Sequence, residues 1–217
     1  MGLGAWEDNP PKELLLIATP HTGLVNYEWA VYFKILQPPC AFNIISNRGL
    51  PIDRARCDLV AQAKSTGATH IFFIDSDVLV PHDGLLRLWS HRLPIVAGIY
   101  GSKHETTDIW IENSKSGDSR YAAVLPQVLE SDQLFSHPDM VTGLGCCLIN
   151  MQVFNKLEEP YFYWTQGREK SGISEDFYFF EQVRKAGIPI HVDTSVKCFH
   201  IDYCKLTWSG QRERLTL

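Results

Sequence analysis

HIFFIDSDVLV, residues 70–80, decides the reading: four large apolar side chains, Ile71, Phe72, Phe73 and Ile74, run directly into two carboxylates, Asp75 and Asp77, separated only by Ser76. A run without polar alternation is a strand covered on both faces, as at the centre of an α/β sheet. Asp75 then stands where the chain leaves the core. Two like charges so close together repel one another and lose hydration, which a fold tolerates best where a cation or strong donors neutralise them. In an open α/β sheet the crevice beyond the carboxyl ends of the strands is also the usual ligand site. The plainer alternative is that the two acids cap a turn or the next helix.

Upstream, ELLLIATP (13–20) reads as a buried strand ending at Thr19-Pro20, YEWAVYFKILQ (27–37) as a helix and FNIISN (42–47) as a second strand. IDRARCDLVAQAKSTG (52–67) places Ala55, Leu59, Val60 and Ala63 at helical spacing with Gly67 as the stop. Strand, helix, strand, helix, strand predicts parallel, right-handed winding of the Rossmann type, without the GxGxxG of a dinucleotide fingerprint. Downstream, PIVAGIYG, DIWIEN, RYAAVLP and CCLINMQVF are short strands between polar turns, which suits a mixed sheet. A helix opens at Ser174 as cap, with Phe177, Phe180 and Val183 as its inner stripe, Glu181 and Lys185 paired outside and Gly187 at its end. Glu175 and Asp176 fall in its first turn.

The 217 residues fit one domain, 1–217, in which the alternation of strands and helices holds to about residue 100 and gives way to shorter strands from about 101. The first ten or so residues read as a loose arm. A formal charge of -5 gives no global attraction to nucleic acid or to an anionic membrane. No apolar stretch approaches the roughly 20 residues of a spanning helix, and the acidic, proline-containing start does not read as a signal peptide, so a cytoplasmic protein is expected. The six cysteines form no CxxC pair, so neither zinc nor a disulfide framework is indicated.

FFIDSDV followed by GISEDFYFFEQVRKAGIPIHVDTSVKCFH (172–200) resembles the nucleotide-sugar-dependent glycosyltransferases of the GT-A fold, from about Leu14 to His200. The resemblance implies an α/β fold in which a Rossmann-like half is continuous with a mixed-sheet, acceptor-binding half. It implies a donor such as a UDP- or GDP-sugar, and a glycan, lipid-linked or small-molecule hydroxyl as acceptor. Asp77 and His200 are then placed on a divalent metal, with Asp75 reaching it through water or binding the ribose. Carboxylates suit Mg²⁺ or Mn²⁺ and an imidazole favours Mn²⁺. Thr19, Pro20 and His21 match the segment that contacts the base, with Ser76 inside the acidic motif. Arg54 or Arg56, near the start of the helix before it, suits the diphosphate. RCDLV resembles the family's RNxLV with Cys57 in place of asparagine, which leaves the choice between the two arginines open.

The Glu175-Asp176 pair is expected beside the acceptor, Asp176 acting as the general base of an inverting transfer; a retaining outcome stays open on the same fold. The glycines of TGLGCC (142–147) would let backbone approach a sugar, or simply turn the chain. The rings of YFYWTQG (161–167) offer flat apolar faces for a sugar, a core or an interface. Two rivals are a haloacid dehalogenase-type phosphatase, whose motif normally follows the first strand and carries Thr or Val where Leu79 stands, and a sugar-nucleotide-binding protein without turnover.

Overall fold

The computed structural model describes residues 13–101, 106–112, 120–129, 132–165, 172–201, 205–209 and 211–213. The amino-terminal segment read as an arm lies largely outside these residues, as do Gln166 and Gly167 of the aromatic segment.

The first half alternates as its periodicities require: β1 (Leu14–His21), α1 (Tyr27–Ile35), β2 (Ala41–Arg48), α2 (Ile52–Ser65) and β3 (His70–Ile74). Asn26 opens α1 by accepting a hydrogen bond from the Glu28 N–H at 2.7 Å. Gly67, at φ 69°, turns the chain out of α2 in a conformation that glycine adopts without strain. There follow β4 (Val78–Leu79), α3 (Gly84–Ser90), β5 (Ile95–Ile99), β6 (Trp110–Glu112), β7 (Tyr121–Ala123), β8 (Leu134–Phe135), β9 (Met140–Val141) and β10 (Cys146–Asn150). The chain ends with α4 (Glu175–Lys185), β11 (His191–Lys197), β12 (Phe199–Ile201), β13 (Lys205–Leu206) and β14 (Arg212–Glu213).

The main sheet has seven strands in the order β2-β1-β3-β10-β5-β11-β8. β1 pairs in parallel with β2 and β3, whereas β10 runs antiparallel to both β3 and β5. A parallel Rossmann-like half thus passes into a mixed half, the α/β arrangement of GT-A type expected. Leu15, Ile17, Phe72 and Ile74 face α1 and α3, packing with Trp29, Leu85 and Leu88. Leu16, Ala18, Ile71 and Phe73 face the opposite layer, with Leu59, Val60 and Ala63 of α2 and Phe179, Phe180 and Val183 of α4. Both faces of the central strands are therefore covered, which is why they carry no polar alternation. Smaller sheets, β14-β13-β12-β4 and β7-β6-β9, flank this body.

Several local expectations are corrected. Glu181 does not pair with Lys185 on the surface; it is buried, accepts from the Tyr121 hydroxyl at 2.5 Å and pairs with Arg120 at 2.9 Å. The β6–β7 hairpin brings those partners, and tertiary packing outweighs a surface pair worth a few tenths of a kcal/mol, roughly 0.2–0.5. Phe179 enters the core, while Phe177 is half-buried against Trp110 and Tyr121. Ser174 occupies the capping position of α4 without making the capping bond; Asp176 Oδ1 accepts from the Phe177 N–H at 2.8 Å instead. The strand from Cys146 stops at Asn150, whose side chain accepts from the Gln152 N–H and opens a 3-10 turn over Met151–Lys156.

Candidate active site

Strand direction gathers the chemistry at one end of the sheet. The carboxyl ends of β1, β3, β5 and β11 lie there, and β10, running the other way, contributes its start. The first turns of α2, after β2, and of α4, before β11, are delivered to the same end. The Trp29 indole N–H donates to the Asp75 carbonyl at 2.8 Å and the Asp75 N–H donates to the Gly145 carbonyl at 3.1 Å, which fixes the backbone where β3 leaves the core.

Arg56 is the node. Its side chain is 3% exposed; Nη2 donates to both Asp75 oxygens, at 2.9 and 3.1 Å, and Nε donates to Glu175 Oε1 at 3.2 Å. The guanidinium also lies 5.4 Å from the centre of the Phe73 ring, and its Nη1 is buried without a partner among the described residues. Burial opposes the charge, but Asp75, Glu175 and Asp176 overcome that opposition and raise its pKa, so Arg56 stays cationic. The acids are pushed upward: Asp75 by burial, against Arg56, and Glu175 by burial and then Asp176, to about 7. Asp176 is raised by burial while Ser174, Arg56 and the Phe177 N–H hold it down. One guanidinium facing three carboxylates leaves surplus negative charge, which a proton or a second cation relieves.

Asp77 and His200 meet across the β4–β12 pairing, in which His200 lies opposite Val78 and the Ile201 N–H donates to the Asp77 carbonyl at 2.6 Å. His200 Nδ1 is 3.0 Å from the Gly101 carbonyl oxygen and Nε2 is 3.3 Å from Asp77 Oδ2. A carbonyl only accepts, so it holds the ring proton on Nδ1 and leaves the Nε2 lone pair facing a carboxylate oxygen. Two acceptors so placed suit a cation, and imidazole with carboxylate suits Mn²⁺. Asp75 does not join them, because its two oxygens are engaged by Arg56. Of the three residues expected around a metal, the structure brings Asp77 and His200 together and holds Asp75 apart on Arg56; among the described residues no group of three ligating side chains is close enough to hold a metal ion.

The remaining expected residues fall around these. Arg54 is exposed on the first turn of α2, whereas Arg56 faces inward. Thr19 and His21, two residues apart on β1, each bury a polar atom, Oγ1 and Nδ1, that has no partner among the described residues; Pro20 between them is buried. Ser76 is half-buried in the turn between the acids. Glu175 is turned to Arg56. Asp176 uses Oδ1 for the Phe177 N–H and the Ser174 hydroxyl, and its Oδ2 has no hydrogen-bond partner among the described residues. Tyr163 is 37% exposed and meets Tyr178 edge-on, so one ring of the aromatic segment faces outward, while Tyr161 and Phe162 are core.

Tyr100 and Asp108 escaped the sequence reading. Tyr100 follows β5; its ring packs edge-on to His200 and its Oη accepts from the Gly145 N–H at 3.1 Å. Asp108 accepts from the Tyr100 N–H at 3.2 Å and the Thr142 hydroxyl at 3.2 Å, and burial pushes its carboxyl up to about 7. The available signal was a tyrosine beside glycine at a strand end, the same end that Asp75 marks.

No protein-family model matches the chain, and no curated protein matches it in sequence. Among solved structures it is similar to A197 from STIV, with a TM-score of 0.63 and 16% identity over 94% of this chain and 95% of that one. It overlaps more loosely with apo UDP-glucose pyrophosphorylase, with a TM-score of 0.45 and 11% identity over 87% of this chain and 76% of that one. No helix among the described residues is long and apolar enough to cross a membrane. The likeness to A197 establishes a shared fold.

Proposed function

We propose that the chain is a metal-dependent glycosyltransferase that moves a sugar from a nucleoside-diphosphate donor to a hydroxyl acceptor. One observation carries the reading: the buried guanidinium of Arg56 ties the acid ending β3 to the acid pair opening α4, so the residues read as donor-side and acceptor-side share one ion-pair network. Thr19 and His21 offer their unpartnered polar atoms to the nucleobase. Arg54, exposed near the start of α2, meets the diphosphate, since Arg56 is committed to carboxylates. Asp77 and His200 hold the cation, which when bound stabilises the negative charge that grows on the leaving diphosphate. Asp75 and Glu175 keep Arg56 in place. Asp176, carrying the free Oδ2, accepts the acceptor's proton as the new bond forms. With both Asp75 oxygens engaged by Arg56, the arrangement does not suit an aspartyl nucleophile of the phosphatase type.

The test is a screen of UDP- and GDP-sugars for Mn²⁺-dependent hydrolysis, which needs no known acceptor. Release of nucleoside diphosphate from at least one donor, lost on chelation, is expected. Absence of both binding and hydrolysis across the panel overturns the reading, and binding without turnover favours a sugar-nucleotide-binding protein.

A further inference from the structure

We propose that Tyr100 binds the transferred sugar, its hydroxyl donating a hydrogen bond to a sugar oxygen; this rests on the reading above. Tyr100 is only 8% exposed and is held on every side. Its N–H donates to Asp108 Oδ1 at 3.2 Å, its carbonyl accepts from the Asp108 N–H at 3.1 Å, and its ring stands 5.5 Å from that of His200 at 77°. The hydroxyl oxygen accepts from the Gly145 N–H, and its proton has no acceptor among the described residues. A tyrosine buried to this degree normally finds a use for its hydroxyl hydrogen.

Gly143 of TGLGCC clears this hydroxyl, since a Cβ there would lie 1.9 Å from Tyr100 Oη; one on Gly145 would lie 2.8 Å from Val78 Cγ2 and 3.0 Å from the hydroxyl. That gives the motif a sharper reason than an ordinary turn.

A phenol's ordinary pKa of about 10 keeps the Tyr100 hydroxyl protonated, and so a donor, throughout the neutral range. The ring of Tyr100 stands on His200, read above as holding the donor's cation, and its hydroxyl on Gly145, whose carbonyl accepts from the Asp75 N–H, so the group it meets is the part of the donor beside that cation.

The experiment compares Tyr100→Phe with wild type by calorimetry in Mn²⁺, using UDP and GDP against UDP-glucose, UDP-N-acetylglucosamine and GDP-mannose. For the sugar nucleotide that wild type prefers, the variant should bind roughly three- to tenfold more weakly, the effect of one neutral hydrogen bond. Affinity for the matching diphosphate should stay within about twofold on the same scale. One monodeoxy analogue of that sugar should show the same loss in wild type and no further loss in Tyr100→Phe. Equal affinity of wild type and variant for the sugar nucleotide overturns the proposal. So does an equal loss for diphosphate and sugar nucleotide, which would mark Tyr100 as support for the Gly145 backbone alone. If wild type binds none of the five compounds, the nucleotide-sugar reading itself has failed; if it binds a sugar nucleotide and the variant binds it equally, only the Tyr100 assignment has.

Discussion

His200 presents Nε2 to Asp77 Oδ2 at 3.3 Å while its Nδ1 faces the Gly101 carbonyl at 3.0 Å, so the nitrogen nearest the acid is the one without a proton in the neutral ring. A nucleoside diphosphate with Mn²⁺ should therefore raise the melting temperature, because ligand that binds only the folded chain stabilises it. EDTA should cancel that rise, and Asp77→Ala and His200→Ala should each be insensitive to Mn²⁺. Stabilisation by UDP or GDP that ignores EDTA and both substitutions would remove the cation from this pair.

Arg56→Met tests the node. The substitution keeps a long apolar stem against Phe73 but leaves half-buried Asp75 and buried Glu175 without their counter-charge. Removing one partner of a buried ion pair costs about 3–5 kcal/mol. Urea denaturation should show a loss of that size, and adding Glu175→Gln should recover part of it. A loss below about 1 kcal/mol, the range of a surface pair, would mean that Arg56 is not what balances these acids.

The sequence showed the site's centre more clearly than its rim. The run Ile71–Ile74 before Asp75 and the helical spacing of Ala55, Leu59 and Val60 are strong periodic signals, and both elements stand where expected. α3 covers only Gly84–Ser90, two turns, too short for a periodic pattern to declare itself. Glu181 and Lys185 follow a common surface spacing, yet Arg120 and Tyr121 reach Glu181 from a hairpin remote in sequence. The direction of each side chain around α2, which leaves Arg54 exposed and turns Arg56 inward, and the Arg56 contacts that hold Asp75 apart from Asp77 and His200, are not written in local periodicity. Tyr100 gave no local signal because its hydroxyl is turned toward a loop, residues 142–145, that lies some forty residues further along the chain.

Stability should depend on pH in a defined window. Glu175 and Asp108 each rise to about 7 in the fold from ordinary values of 4.5 and 3.8. Between those limits the folded chain holds more protons than the unfolded one, so these two groups make stability fall as pH rises toward 7. Asp83, Glu112 and Asp193, held below their ordinary values, act in the opposite sense but at more acidic pH. His70 and His191, lowered by burial, oppose the trend within the window, so the readout is the difference between wild type and variant. Asp108→Asn and Glu175→Gln should each lose less stability than wild type between pH 5 and 7, measured by thermal melts across that range. Parallel pH profiles would show that neither carboxyl titrates in the window.

Asp176→Asn addresses the proton itself. Adjacent residues at a helix start project about 100° apart, so a single helix turn cannot aim both acids at one point. Arg56 has taken Glu175, and Asp176 retains Oδ2. The helix start and the Phe177 N–H favour the ionised form of Asp176, while burial raises its pKa and with it its basicity. Such a base contributes about 10²–10⁴ in rate. Transfer should fall by at least about a hundredfold in Asp176→Asn, within that range, with donor affinity nearly unchanged because the role proposed for the residue is toward the acceptor. A base on the side opposite the leaving diphosphate directs in-line attack, so NMR of the wild-type product should show inverted anomeric configuration. A product with the donor's own configuration would exclude the in-line role, and full activity in Asp176→Asn would pass the proton to Glu175, whose carboxyl at about 7 is the only other one in the pair able to accept it at neutral pH.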